Sequence, residues 1–219
     1  MRYKGRIIGL ALILLYILET IIFHDYMRLF DYITISVFTI IGLGLGLQFD
    51  QLTYASERDF LTKLYNRRYV YATFPKWVKH ADRSQTPITV MVIDVDRFKE
   101  INDRCGHEVG DVVLEIISDV LTEHAGKRDV VARWGGDEFV ILARLIHQLD
   151  SKDMIEQLQE KLEELSRKVN IQMQVSIGLA IYPTDETTLH GLLQMADQRM
   201  YTNKREKEVS YPEGDAYET

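Results

Sequence analysis

The chain has 219 residues, of which 26 are Lys or Arg and 33 are Asp or Glu, for a formal net charge of −7. That balance excludes an extended nucleic-acid-binding surface, which needs clustered cations against the phosphates; any polyanion bound here is small. The single Cys105 excludes an internal disulfide and a cysteine-based zinc site and fits a reducing compartment.

Apolar residues make up 46% of the chain, enough for a core, but they are unevenly spread. Residues 7–23 (IIGLALILLYILETIIF) and 33–49 (ITISVFTIIGLGLGLQF) are almost free of charge, and each is near the lower length limit for crossing a bilayer. With only HDYMRLFDY between them, residues 1–50 are expected to form a two-helix transmembrane hairpin. A cleaved signal peptide fits less well, because no small-residue cleavage site follows Phe23. Arg2, Lys4 and Arg6 precede the first span, so the positive-inside rule places the N-terminus, and after two crossings the rest of the chain, in the cytoplasm. Glu19 falls inside the first span and is expected to reach the headgroups or a partner helix. Gly42 and Gly46 form a small-xxx-small spacing that hints at helix dimerisation.

Residues 51–58 mix polar and apolar positions at helical spacing, which predicts a helical linker running out of the second span. A helix is expected over 69–81, then a strand over 88–95 (ITVMVIDV), whose unbroken apolar run marks a strand covered on both faces. Apolar residues at 109, 112, 113, 116, 117, 120 and 121 predict a helix. Strands at 130–134 and 139–143 flank a glycine-acid turn; a helix at 154–169, a strand at 171–182 and a helix at 189–201 follow. The order after residue 58, α-β-α-β-β-α-β-α, fits an α+β domain over residues 59–208 with helices packed on one sheet. Residues 209–219 are polar and acidic, which predicts a disordered tail.

Two acidic pairs stand out. Asp94 and Asp96 lie at the end of the most apolar strand, and Asp137-Glu138 follow Gly135-Gly136 in the turn. A sheet that joined the two pairs would make a site for Mg²⁺, or Mn²⁺ in its place, because Mg²⁺ takes a few carboxylates plus water and substrate phosphates. The glycines let the backbone approach a ligand.

Five ordered motifs carry a resemblance: DFLTKLYNRR (59–68), DVDRFKEIND (94–103) with GHEVGD (106–111), GGDEF (135–139), VSIGLAIYP (175–183) and ADQRMYTNK (196–204). Over residues 55–208 the sequence resembles the GGDEF-domain family of diguanylate cyclases, which condense two GTP into cyclic di-GMP and two pyrophosphates. The resemblance implies a mainly antiparallel, nucleotidyl-cyclase or palm-like sheet flanked by helices. It implies that Asp94, the Val95 carbonyl, Asp137 and Glu138 hold Mg²⁺, and that Asp137 and Glu138 together form the catalytic pair. By the same resemblance Phe98, through its backbone, and Lys99 are expected to approach the triphosphate, Lys204 to meet phosphate, and Asn102 and Asp111 to read guanine. His107 is expected to order the same loop, and Gly135 and Gly136 to let the turn close over the nucleotide. For Asp111 there is an independent reason: one carboxylate accepts from both N1–H and N2–H of guanine, which adenine does not offer. Each domain binds one GTP, so the resemblance also implies a homodimer, with two half-sites facing across a two-fold axis.

Two positions depart from the family pattern. The Arg-x-x-Asp product-inhibition site reads GKRD here, with Asp129 present but Gly126 in place of the arginine, so feedback inhibition there is expected to be weak or absent. Glu208 replaces a phosphate-facing arginine four residues after Lys204. That exchange favours the main alternative, a catalytically inactive module that binds GTP or cyclic di-GMP; a cyclase acting on ATP is disfavoured by Asn102 and Asp111.

Overall fold

The computed structural model describes residues 4–23, 29–144 and 148–210. The chain divides into two compact units at Arg58–Asp59. The sequence tail from residue 211 and the side chain of Glu208 lie outside what is described.

The first unit holds α1 (Lys4–Phe23) and α2 (Leu29–Glu57). Among the described residues one helix, Phe30–Tyr54, is long and apolar enough to cross a membrane. The apolar stretch of α1, Ile7–Glu19, is shorter: at 1.5 Å per residue it reaches roughly 20 Å of the ~30 Å hydrocarbon core. Glu19 ends it, so the expected pair of spans, and the multi-pass topology built on them, reduce to one candidate. In α2 the hydroxyls of Thr34, Ser36 and Thr39 donate to the carbonyls of Phe30, Tyr32 and Ile35 at 2.7–2.8 Å, which satisfies their polar groups within the apolar run. The two helices meet at glycines. A Cβ on Gly9 would stand 3.0 Å from the Gly42 carbonyl oxygen, so Gly9 is the glycine that the close approach needs; among the described residues a Cβ on Gly42 would meet only Ile13, at 3.6 Å.

The second unit runs β1 (Tyr65–Asn66), α3 (Arg67–Ser84), β2 (Ile88–Val95), α4 (Phe98–Cys105), α5 (His107–His124), β3 (Val130–Arg133), β4 (Glu138–Arg144), α6 (Gln148–Val169), β5 (Val175–Tyr182) and α7 (Leu189–Ser210). The five strands form one sheet in the order β1-β3-β4-β2-β5. β2, β3, β4 and β5 pair antiparallel and only β1 with β3 is parallel, so the sheet is mixed but antiparallel at its centre.

The two-residue alternation of β2 explains the layers. Met91, Ile93 and Val95 face one core with Phe139 and Ile141 of β4, closed by Leu114, Ile117 and Leu121 of α5 and by Leu158 and Leu162 of α6. Val90 and Val92 face the other, with Val140 and Leu142, closed by Val70, Phe74 and Trp77 of α3 and by Leu192, Ala196 and Met200 of α7. Burial on both sides is why β2 carries no polar alternation.

At the β5–α7 connection Asp185 accepts from the backbone N–H of Ile181 at 2.7 Å and from both terminal nitrogens of Arg199 at 2.8 and 3.0 Å. These bonds, the Arg199 pair first, hold the Asp185 carboxyl below its usual value. A depressed carboxylate contributes stability above its unfolded pKa and loses it as pH falls through the folded value. Asp185→Asn is therefore expected to lower Tm at neutral pH, with the difference from wild type vanishing as both proteins are acidified below the carboxylate range. Thermal melts across pH check this; a constant difference at all pH values would contradict it.

Candidate active site at the glycine-acid turn

The β3–β4 turn is fixed from three directions. Trp134 and Gly135 both donate backbone N–H bonds to the Glu138 carbonyl, at 2.7 and 3.2 Å. The Val95 N–H donates to the Asp137 carbonyl at 3.1 Å, which stitches the end of β2 to the turn. Arg133 donates from Nε and Nη2 to the Gly136 carbonyl at 3.2 and 2.7 Å, while its Nη1 pairs with Asp59 at 3.1 Å. Asp59 also accepts from the backbone and hydroxyl of Thr62 at 2.9 and 2.8 Å. Burial opposes the Asp59 charge, but the Thr62 and Arg133 bonds outweigh it and hold its carboxyl below the usual value. Thus the 59–62 segment braces the acidic turn although 74 residues separate the paired side chains.

The strand register then gathers the acids. Asp94 stands opposite Glu138 in the β2–β4 ladder, with Asp137 adjoining. Lys204 reaches in from α7 and donates to Asp94 Oδ1. Burial raises the Asp94 carboxyl above its usual value; Lys204 opposes this, and the charges of Asp137 and Asp96 add to it. Glu138 is also raised, first by burial and then by Asp94, Asp137 and Asp197, against a smaller pull from Arg67. Burial works against the Lys204 ammonium, yet its bond to Asp94 and the charges of Asp94, Asp96 and Asp137 hold it above the usual lysine value. These carboxylates repel one another in a half-buried setting, where a cation relieves the cost. The donor set therefore fits a hard divalent ion. Among the described residues no group of three or more such side chains is placed to hold a metal ion by itself.

Asp96 accepts from Ser176 Oγ at 2.7 Å, and its N–H donates to the Gln174 carbonyl at 2.9 Å. The two glycines do a different job from the one their type suggests. Neither has a positive φ. A Cβ on Gly135 would stand 2.7 Å from Glu138 Oε2, so Gly135 makes room for that carboxylate, whereas the Cβ position of Gly136 is open.

The α4–α5 corner carries the other candidates. Phe98 opens α4 and packs on the core from its edge, Lys99 is exposed and Asn102 is half-buried beneath α5. His107 and Asp111 are exposed on the first turns of α5. No side chain caps the start of α4. The expected element order lacks α4, because eight residues rich in charge give no long apolar stripe.

Three residues near the acids escape a reading by pairs alone. Arg67 stacks over Trp134 at 4.8 Å and Tyr71 at 5.6 Å. Arg133 anchors the turn. Asp197 acts on Glu138 from α7 and precedes Lys204 by seven positions, two helical turns on one face, which is the signal that could have found it. Asp129 accepts from the Gly126 N–H at 2.8 Å and the Arg144 N–H at 3.3 Å, so it closes the α5–β3 turn.

The chain belongs to the family described as diguanylate cyclase, GGDEF domain, which it matches over residues 56–210. Its sheet and flanking helices have that family's palm-like α+β fold. Diguanylate cyclase DosC of Escherichia coli is 36% identical over 151 residues, 67% of this chain and 33% of DosC. Diguanylate cyclase TpbB of Pseudomonas aeruginosa is 36% identical over 159 residues, 71% of this chain and 37% of TpbB. The chain thus spans about a third of the length of these curated relatives. Among solved structures, the coiled coil and GGDEF domain of DgcB from Caulobacter crescentus, in complex with c-di-GMP, matches with a TM-score of 0.72 at 25% identity, over 80% of this chain and 94% of that one.

Proposed function

We propose that this protein is a membrane-attached diguanylate cyclase, and the observation that carries this is the convergence of Asp94, Asp137, Glu138 and Lys204 at one sheet end. In each turnover the 3′-oxygen of one GTP forms a bond to the α-phosphorus of another and the bond to pyrophosphate breaks. Repeating this in the opposite sense closes the ring, so two GTP give one cyclic di-GMP and two pyrophosphates. One domain presents one nucleotide, hence two copies face each other as a homodimer.

Asp94, the Val95 carbonyl, Asp137 and Glu138 would hold Mg²⁺, with Mn²⁺ as a substitute, and the bound ion supplies charge neutralisation at the phosphates. Asp137 and Glu138 also form the pair that accepts the 3′-hydroxyl proton. Lys204 and Lys99 hold phosphate oxygens, and the start of α4 at Phe98 offers backbone N–H donors. Asn102 and Asp111 read the guanine edge, with His107 ordering the loop between them. Gly135 leaves Glu138 its place, and Gly136 leaves the turn open to the nucleotide. Attachment runs through the apolar part of α2, with the catalytic unit on the side of the membrane that holds GTP.

Glu208 supports a second reading, a GTP- or cyclic di-GMP-binding module without turnover, because a carboxylate there repels a triphosphate. Pyrophosphate release from GTP and Mg²⁺, with ATP as competitor, separates the two. Steady release by the wild type, lost in Asp137→Ala and unaffected by ATP, is the expected result. Binding of GTP without release would favour the module.

A further inference from the structure

Gly110 is a buried glycine inside α5, where alanine would favour the helix by about 1 kcal/mol. Its backbone does not need glycine, since its φ is not positive and its N–H bonds to the Gly106 carbonyl at 3.2 Å as any helical residue would. Space explains it. A Cβ at this position would overlap Asn102 Oδ1, stand 3.0 Å from Asn102 Cγ and 3.3 Å from Phe98 Cζ. The amide of Asn102 therefore lies in the volume that a side chain on Gly110 would fill.

We propose that Gly110 is a positioning residue for base recognition: by carrying no side chain it sets the Asn102 amide on α4 against α5 and thereby the preference for guanine over adenine. This deepens the reading of the site as a GTP site and rests on it. A methyl at Gly110 drives the amide to another rotamer, and its bonds to the base are lost, while the atoms nearest the added Cβ belong to Asn102 and Phe98 and none to the acidic residues.

The test is Gly110→Ala in the full chain in detergent, measured by calorimetry with non-hydrolysable GTP and ATP analogues and Mg²⁺, beside Asn102→Ala and the double variant. The expected result is that Gly110→Ala weakens the GTP analogue about tenfold, the worth of one or two hydrogen bonds, with the ATP analogue unchanged. The double variant is expected to bind as Asn102→Ala does, since the methyl acts only through the amide. Unchanged GTP-analogue affinity, equal weakening of both analogues, or additive losses in the double variant would overturn the proposal. Should Gly110→Ala fail to fold, the double variant decides: a folded protein binding as Asn102→Ala supports the clash, and an unfolded one overturns it. Turnover is scored separately. A wild type that binds but makes no cyclic di-GMP counts against the cyclase reading and leaves the Gly110 effect on binding to stand or fall alone.

Discussion

Asp94→Asn is expected to abolish cyclic di-GMP synthesis, by about a thousandfold or more, while the protein stays folded. The size follows from the role: a metal-holding carboxylate at a phosphoryl centre supports several kcal/mol of transition-state charge stabilisation, and each 1.4 kcal/mol is tenfold in rate. The fold survives for a separate reason. Burial and the charges of Asp137 and Asp96 already push the Asp94 carboxyl toward its neutral form, so a neutral amide of the same shape removes a repulsion. Lys204 loses its hydrogen-bond partner in exchange, but the charges of Asp96 and Asp137 still act on it. Product quantification together with a thermal melt checks both halves. Retained synthesis would show that Asp94 is not at the reacting centre.

Gly178→Ala is expected to be the most damaging small substitution in the sheet. Gly178 lies on β5 opposite Val92 and is buried under α7. An added Cβ would overlap the Ala196 carbonyl oxygen and the Met200 N, and stand 2.9 Å from Met200 Cα. These are backbone atoms, which do not rotate aside as a side chain does. The helix must lift from the sheet, opening the layer formed by Leu192, Ala196 and Met200. Overpacking of this kind costs roughly 3 kcal/mol, or a fall in Tm of about 10 °C for a domain of this size. Lys204 and Asp197 ride on the same helix, so activity falls with stability. Gly136→Ala is the control: its Cβ position is open, and its Tm is expected to match wild type. A Tm for Gly178→Ala equal to that of wild type would refute this account of how α7 seats.

Much of the second unit was legible because its signals are local. β2 runs over Ile88–Val95 as the apolar run indicates, and the α5 stripe falls inside His107–His124. Less was visible where the cause is distant. Nothing in DFLT announces that Asp59 braces a turn through Arg133, since that pairing depends on β1 lying parallel to β3. Gly135 reads as a turn glycine, yet what it provides is room for Glu138. The acidic pairs were visible as chemistry, whereas their meeting through the Asp94–Glu138 register needed the sheet. In the first unit, counting apolar residues overestimated α1, because the stretch that satisfies a membrane core stops at Glu19.

The most direct measurement is chromatographic and mass-resolved analysis of the products formed when the full chain is incubated with GTP and Mg²⁺, beside Asp94→Asn. The account predicts cyclic di-GMP from the wild type and none from the variant. A folded wild type that leaves GTP intact, or that yields a product other than cyclic di-GMP, would contradict it.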